Sequence, residues 1–139
     1  MERSTAFNGN YVANVLAGKE FQLGNTGRRF LTLDTKLTAA GGRPYTPINL
    51  EASRAAGKEI LYDDRAFSER LDDYLRWDVK FGFRMNSPKR KLSQTFFLDF
   101  QNVTNRKNIF VMRYNEQKGN IGQVNQIGLF PDILYRVEF

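Results

Sequence analysis

The stretch Gly128-Leu-Phe-Pro-Asp-Ile-Leu-Tyr-Arg-Val-Glu-Phe139 decides how the rest of the chain is read. Ile133, Tyr135, Val137 and Phe139 alternate with Leu134, Arg136 and Glu138, a period of two that suits a strand and not a helix. The last side chain is aromatic and in register with the apolar face behind it, whereas a soluble domain usually frays into polar residues. The expectation is a strand closing a membrane barrel, its aromatic ring at the lipid–water interface.

The same alternation recurs upstream. Leu75, Trp77, Val79, Phe81, Phe83 and Met85 alternate with Arg76, Asp78, Lys80, Gly82 and Arg84, over a length that suits a tilted strand crossing the hydrocarbon layer. Phe96, Leu98 and Phe100 oppose Phe97, Asp99 and Gln101 in another strand. Leu31, Leu33, Thr35, Leu37 and Ala39 share one face of an earlier one, which ends at Gly41-Gly42, and residues 11–23 read as a first strand. Asn102-Val-Thr-Asn-Arg-Lys-Asn108 interrupts the alternation as a bulge or bend. Residues 96–139 read as one long hairpin with its tip near Gly119. A helix-friendly run spans Asn49 to Gly57.

The connections alternate in length. Those at residues 24–27 and 86–91 are short; those at about 43–71 and 104–127 are long. Outer-membrane barrels have short periplasmic turns and long extracellular loops, and with Phe139 at the periplasmic end the parity is self-consistent.

Composition agrees with strands that have one apolar and one wet face. In 139 residues there are 12 Phe and 6 Tyr, yet 26% of residues are charged. No run approaches the roughly 18 apolar residues of a transmembrane helix, which leaves alternating strands open. There is no Cys and no His, so thiolate metal sites, disulfides and the commonest general base are absent. The net charge of +6 is spread along the chain, with one small knot at Lys89-Arg90-Lys91, so no nucleic-acid partner is expected. The first ten residues lack the charged and apolar regions of a signal peptide. A membrane strand at the end with no means of export at the beginning suggests a piece of a longer precursor.

Residues 16–21 (Leu-Ala-Gly-Lys-Glu-Phe), 41–47 (Gly-Gly-Arg-Pro-Tyr-Thr-Pro), 73–78 (Asp-Tyr-Leu-Arg-Trp-Asp), 98–108 and 128–131, leading into Tyr135-Arg-Val-Glu-Phe139, follow one another through nearly the whole chain. In these stretches the chain resembles the C-terminal end of a TonB-dependent outer-membrane receptor, of the Bacteroidetes type that carries a carboxypeptidase-regulatory-like domain. The resemblance implies an all-β fold: about the last six strands of a 22-stranded, antiparallel, up-and-down transmembrane barrel with a plugged lumen. Residues 1–139 would be the C-terminal part of that barrel, without the plug and the N-terminal strands. It implies uptake of a scarce ligand such as an iron chelate, cobalamin, glycan or peptide. It also implies location in the cell outer membrane, no cofactor and no covalent chemistry, hence no enzyme. The implied partners are the rest of the barrel and plug, outer-membrane lipid, the barrel assembly machinery, and an energy-coupling complex acting through the absent plug. Without that plug the chain is not expected to transport alone. Tyr135, Val137 and Phe139 resemble the C-terminal signal by which the assembly machinery recognises outer-membrane barrels; the same residues are also the lipid face of a last strand.

Residues are assigned to faces accordingly. Asp34, Lys36, Arg76, Asp78, Lys80 and Asp99 are expected to face the lumen and form charge ladders between strands. Leu75, Trp77, Val79, Phe81, Phe83, Phe96, Leu98 and Phe100 are expected to face lipid. Arg43, Tyr45, Arg54 and Tyr62 in the first long connection are candidate ligand contacts, the alternative being packing between loops. The acidic residues Asp63, Asp64, Glu69, Asp72 and Asp73 fit no EF-hand spacing, so no metal site is assigned. A small soluble β-sheet binding module is the competing reading, since alternation alone does not separate it from a barrel piece.

Overall fold

The computed structural model describes residues 8–89 and 91–139. The chain is mostly antiparallel β-sheet with one short α-helix, and it divides into two units.

The sheet unit holds Asn14–Thr38, Arg76–Arg106 and Gly128–Phe139. Its strands are β1 (Val12–Leu23), β2 (Arg29–Ala40), β5 (Tyr74–Ser87), β6 (Leu92–Gln101) and β9 (Phe130–Glu138), hydrogen-bonded in the order β1-β2-β5-β6-β9. Tight turns join β1 to β2 and β5 to β6, the first through Gly24 and Gly27 at positive φ. Five strands make this sheet, where the sequence reading counted about six. The expected hairpin over residues 96–139 is correct in that β6 pairs directly with β9. Its far part instead forms a separate ladder.

Register fixes the faces. Across β5, β6 and β9 the aligned rows are Val79–Phe100–Pro131, Phe81–Leu98–Ile133, Phe83–Phe96–Tyr135 and Met85–Gln94–Val137. The intervening rows are Lys80–Asp99–Asp132, Gly82–Phe97–Leu134, Arg84–Thr95–Arg136 and Asn86–Ser93–Glu138. Because side chains alternate between faces, the first set makes an apolar surface and the second a mainly polar one. Phe97 is the aromatic exception on the polar side. Its ring lies over Gly82, where an added Cβ would come within 3.0 Å of it, and beneath the Lys80 ammonium at 4.3 Å. Glycine there makes room for the ring, and the ring covers backbone that glycine leaves bare.

Among the described residues nothing covers the apolar surface. Trp77, Phe81, Phe96, Leu98 and Tyr135 are exposed, Ile133 by 73%. Among the described residues the one buried hydrophobic side chain is Ile48, at 7% exposure, and it lies in the other unit. A sheet normally buries its apolar face against a second layer. This one does not.

The loop unit holds residues 8–13, Ala39–Leu75 and Lys107–Ile127. It thus gathers the two long connections foreseen at about 43–71 and 104–127. The first carries β3 (Pro44–Tyr45), α1 (Leu50–Ala56), a 3-10 turn at Asp63–Arg65 and β4 (Glu69–Arg70), with β3 paired to β4. Helix α1 has the ends its sequence prescribes: the Asn49 carboxamide accepts from the Ala52 N–H, and Gly57 closes it at φ 65°. The second carries β7 (Ile109–Asn115) and β8 (Asn120–Asn125), an antiparallel hairpin with a register shift between Ile109 and Val111. Among the described residues no helix is long and apolar enough to cross a membrane.

Candidate functional site

The polar face of the sheet unit is concave. A cavity of about 510 Å³ is lined by Asp34, Lys36, Arg76, Asp78, Lys80 and Asp99, together with Leu16, Ala17, Gly18 and Thr35. All six charged residues picked from the sequence as facing one way are therefore brought together by β2, β5 and β6. Three cations stand against three anions, so the surface is polar and charge-balanced.

The contacts inside it include pairings along a strand as well as between strands. Arg76 donates through Nε and Nη2 to the Asp78 carboxylate at 2.7–2.9 Å, a two-pronged pair two residues apart on the same strand. Asp78 Oδ1 also accepts the Asn102 backbone N–H at 2.9 Å. Lys80 stands opposite Asp99 in the ladder, yet its ammonium sits on the Phe97 ring. Among the described residues, a second ion pair joins Arg84 of β5 to Glu20 of β1 at 3.0 Å, reaching over β2, with the Arg84 guanidinium also 4.6 Å from the Phe30 ring centroid. Of the six charges, Arg76 and Asp78 thus pair along one strand and Lys80 rests on a ring, while Lys36 of β2 acts electrostatically on Asp78 of the neighbouring β5. A glycine at 82 explains part of this: a Cβ there would meet the Phe97 ring at 3.0 Å, and that ring is where Lys80 rests.

On the opposite face Trp77 Nε1 donates to Thr35 Oγ1 at 2.6 Å, and that hydroxyl donates to the Asp78 carbonyl at 3.2 Å. An exposed indole with its N–H satisfied has the two-sided chemistry of an interface residue. Leu75 shares the parity of Trp77, and its backbone N–H and carbonyl are both taken by the Asn108 carboxamide at 3.1 and 2.9 Å.

The four loop candidates have identifiable partners within the loop unit. Arg43 donates to the Phe110 carbonyl at 3.1 Å and lies 5.5 Å from that ring centroid. Arg54 Nε donates to the Gly119 carbonyl at 2.6 Å, and the Arg65 guanidinium lies 5.4 Å from the Tyr62 ring centroid. Tyr45 donates its hydroxyl to Glu69 at 2.7 Å. Burial, that hydrogen bond and the adjacent carboxylate together push the Tyr45 phenol up to about 12. Arg43 and Tyr45 line one cavity of about 340 Å³ with Ile48, Leu61, Phe67, Phe110 and Met112; Arg54 and Tyr62 are not among its lining residues. Of the loop acids, Glu69 thus takes the Tyr45 bond, and Asp73 accepts from the Tyr11 hydroxyl and the Gly42 N–H, each at 2.9 Å. Among the described residues no three Asp or Glu side chains cluster closely enough to hold a metal ion.

Two asparagines of the Asn102–Asn108 stretch, expected as a bulge or bend but with no role assigned to either side chain, hold this corner. Asn102, 2% exposed and at φ 52°, donates to the Arg106 carbonyl and accepts from the Arg106 N–H and the Thr104 hydroxyl. Asn105, also left-handed at φ 51°, accepts the Leu129 N–H at 3.0 Å and so ties the end of β6 to the start of β9. The signal was present in the clustering of Asn at 102, 105 and 108, since Asn tolerates positive φ and bonds to nearby backbone.

No family model, no curated protein and no solved structure matches this chain.

Proposed function

We propose that this chain is part of the wall of an outer-membrane receptor for energy-coupled uptake of a scarce ligand, of the TonB-dependent kind its sequence resembles. The observation that carries the reading is the uncovered apolar surface of β5, β6 and β9, set back to back with a charged, concave surface. In water such a surface is a liability. In a bilayer it meets its own solvent, while the charged surface lines a wet interior.

The edges support the same reading. β1 and β9 are the outer strands of the sheet, and each presents one unpaired row of backbone groups. Contacts pair Asn14 with Thr38 and Arg28 with Asn86, so β1/β2 and β2/β5 are antiparallel like the rest, and β1 and β9 run the same way. An odd number of further strands then closes the sheet with every neighbour antiparallel and an even total, as single-chain outer-membrane barrels have. The wall contributes positioning, a pore lining and loops; the reading involves no covalent chemistry and no transport by this chain alone.

Expression without an added export signal, fractionation and refolding test it. Insoluble protein that gains its β circular-dichroism signal only in detergent or lipid supports the proposal. A soluble, monomeric, cooperatively melting β protein contradicts it and favours a soluble binding module.

A further inference from the structure

The turns β1–β2 and β5–β6 lie at the same end of the sheet: the Asn86 N–H donates to the Arg28 carbonyl at 2.8 Å, and Ser93, next to the second turn, is opposite Glu138. That end concentrates positive charge. Arg28, Arg29, Lys89 and Lys91 are all exposed there, and Lys91 is held at φ 48°. The anions nearest in register are few: Glu138 at the end of β9, and Glu20, which is already bonded to Arg84.

The apolar surface runs up to this end. Its last aligned rows are Phe83–Phe96–Tyr135 and Met85–Gln94–Val137, with Tyr135 donating its hydroxyl to Gln94 at 3.0 Å. An aromatic row with a satisfied hydroxyl, succeeded toward the turns by Arg28, Arg29, Lys89 and Lys91, is a greasy surface that ends in positive charge. A phospholipid has the complementary shape: acyl chains that lie along apolar side chains, then an anionic phosphate at the depth where the cations begin.

We propose that this turn end is a docking surface for anionic phospholipid headgroups, with Arg28, Arg29, Lys89 and Lys91 contacting phosphate and the Phe83–Phe96–Tyr135 row contacting the acyl chains. The inference rests on the membrane reading above and adds to it a leaflet preference: the end bearing the short turns seeks the anionic lipid. Long-range attraction of this kind is screened by salt.

The test uses the full chain, refolded into vesicles of phosphatidylcholine alone and of phosphatidylcholine mixed with phosphatidylglycerol, with vesicle-bound protein measured by flotation at low and high salt. The expected result is folding in both lipids, with about tenfold or stronger partitioning into the anionic vesicles. High salt is expected to erase that preference. Lys89→Glu with Lys91→Glu is expected to lose most of it while keeping the β signal in neutral detergent. Equal partitioning into both vesicle types, or a preference that survives both salt and the charge reversal, overturns the proposal. The two readings fail differently: folding in both lipids without an anionic preference sinks only the headgroup site, and absence of folding in either sinks the membrane reading together with it.

Discussion

Phe96 of β6 and Tyr135 of β9 are direct partners across the ladder, their ring centroids 4.5 Å apart and their planes inclined by 30°. Together with Phe83 they make an unbroken aromatic row across three strands on the face that no described residue covers. Such a pair contributes about 0.5–1.5 kcal/mol beyond the area it buries. A double-mutant cycle with Phe96→Leu and Tyr135→Leu, followed by urea unfolding in detergent micelles, is expected to give a coupling energy in that range. Additive single effects would show that the rings merely coexist.

The two faces of β5 are expected to respond oppositely to charge. Phe81 is exposed on the apolar side, while Lys80, its neighbour, stacks on Phe97 on the polar side. Phe81→Arg is expected to cost about 2–4 kcal/mol at mid-bilayer, and Lys80→Arg to be nearly neutral, because either cation can lie on the ring. Equilibrium unfolding of the lipid-inserted protein measures both. Equal tolerance would reverse the face assignment.

Asn102 combines a left-handed backbone with a carboxamide that bonds in three directions. Asn102→Gly keeps the conformation and loses the bonds, at about 1–3 kcal/mol. Asn102→Ala loses both and is expected to cost about 1 kcal/mol more. Thermal unfolding of the two variants side by side checks the order; the reverse order would mean that backbone conformation is not what selects Asn here.

Tyr45 supplies a pH signature for the loop unit. Its phenol titrates near 12 in the folded protein, above its ordinary value of 10.0, because burial and the Glu69 carboxylate disfavour the anion. The folded state therefore holds this proton more tightly than the unfolded chain. The stabilisation is complete below pH 10 and is lost as pH rises from there through 12. Tyrosinate absorbance of the wild type minus that of Tyr45→Phe is expected to titrate near the upper value, and Glu69→Gln to bring it down part of the way. A midpoint at the ordinary value would mean that the contact does not persist in solution.

Much of this architecture was legible in the sequence because period-two alternation is a local property. The faces of β5 and β6 follow from reading every second residue, and the Asn49 and Gly57 caps of α1 follow from side-chain chemistry alone. The gathering of Asp34, Lys36, Arg76, Asp78, Lys80 and Asp99 around one cavity follows from the same parity. What was not legible depends on non-local geometry. Lys80 rests on Phe97, whose ring passes close to Gly82, a contact between strands that no single stretch of sequence carries. Residues 109–125 alternate like sheet strands, but β7 and β8 pair with each other in a ladder of their own, so the sheet has five strands and not about six. Arg84 meeting Glu20 across an intervening strand carries no local signal.

The most direct test of the membrane reading uses the single tryptophan, Trp77, whose ring lies on the uncovered face with its N–H bonded to Thr35. Its fluorescence is measured in the refolded protein in vesicles of ordinary and of brominated phosphatidylcholine, with acrylamide added from the water side. The account predicts strong quenching by the brominated chains and protection from acrylamide. Quenching by acrylamide alone, unchanged by the presence of either lipid, would place that face in water and contradict the account.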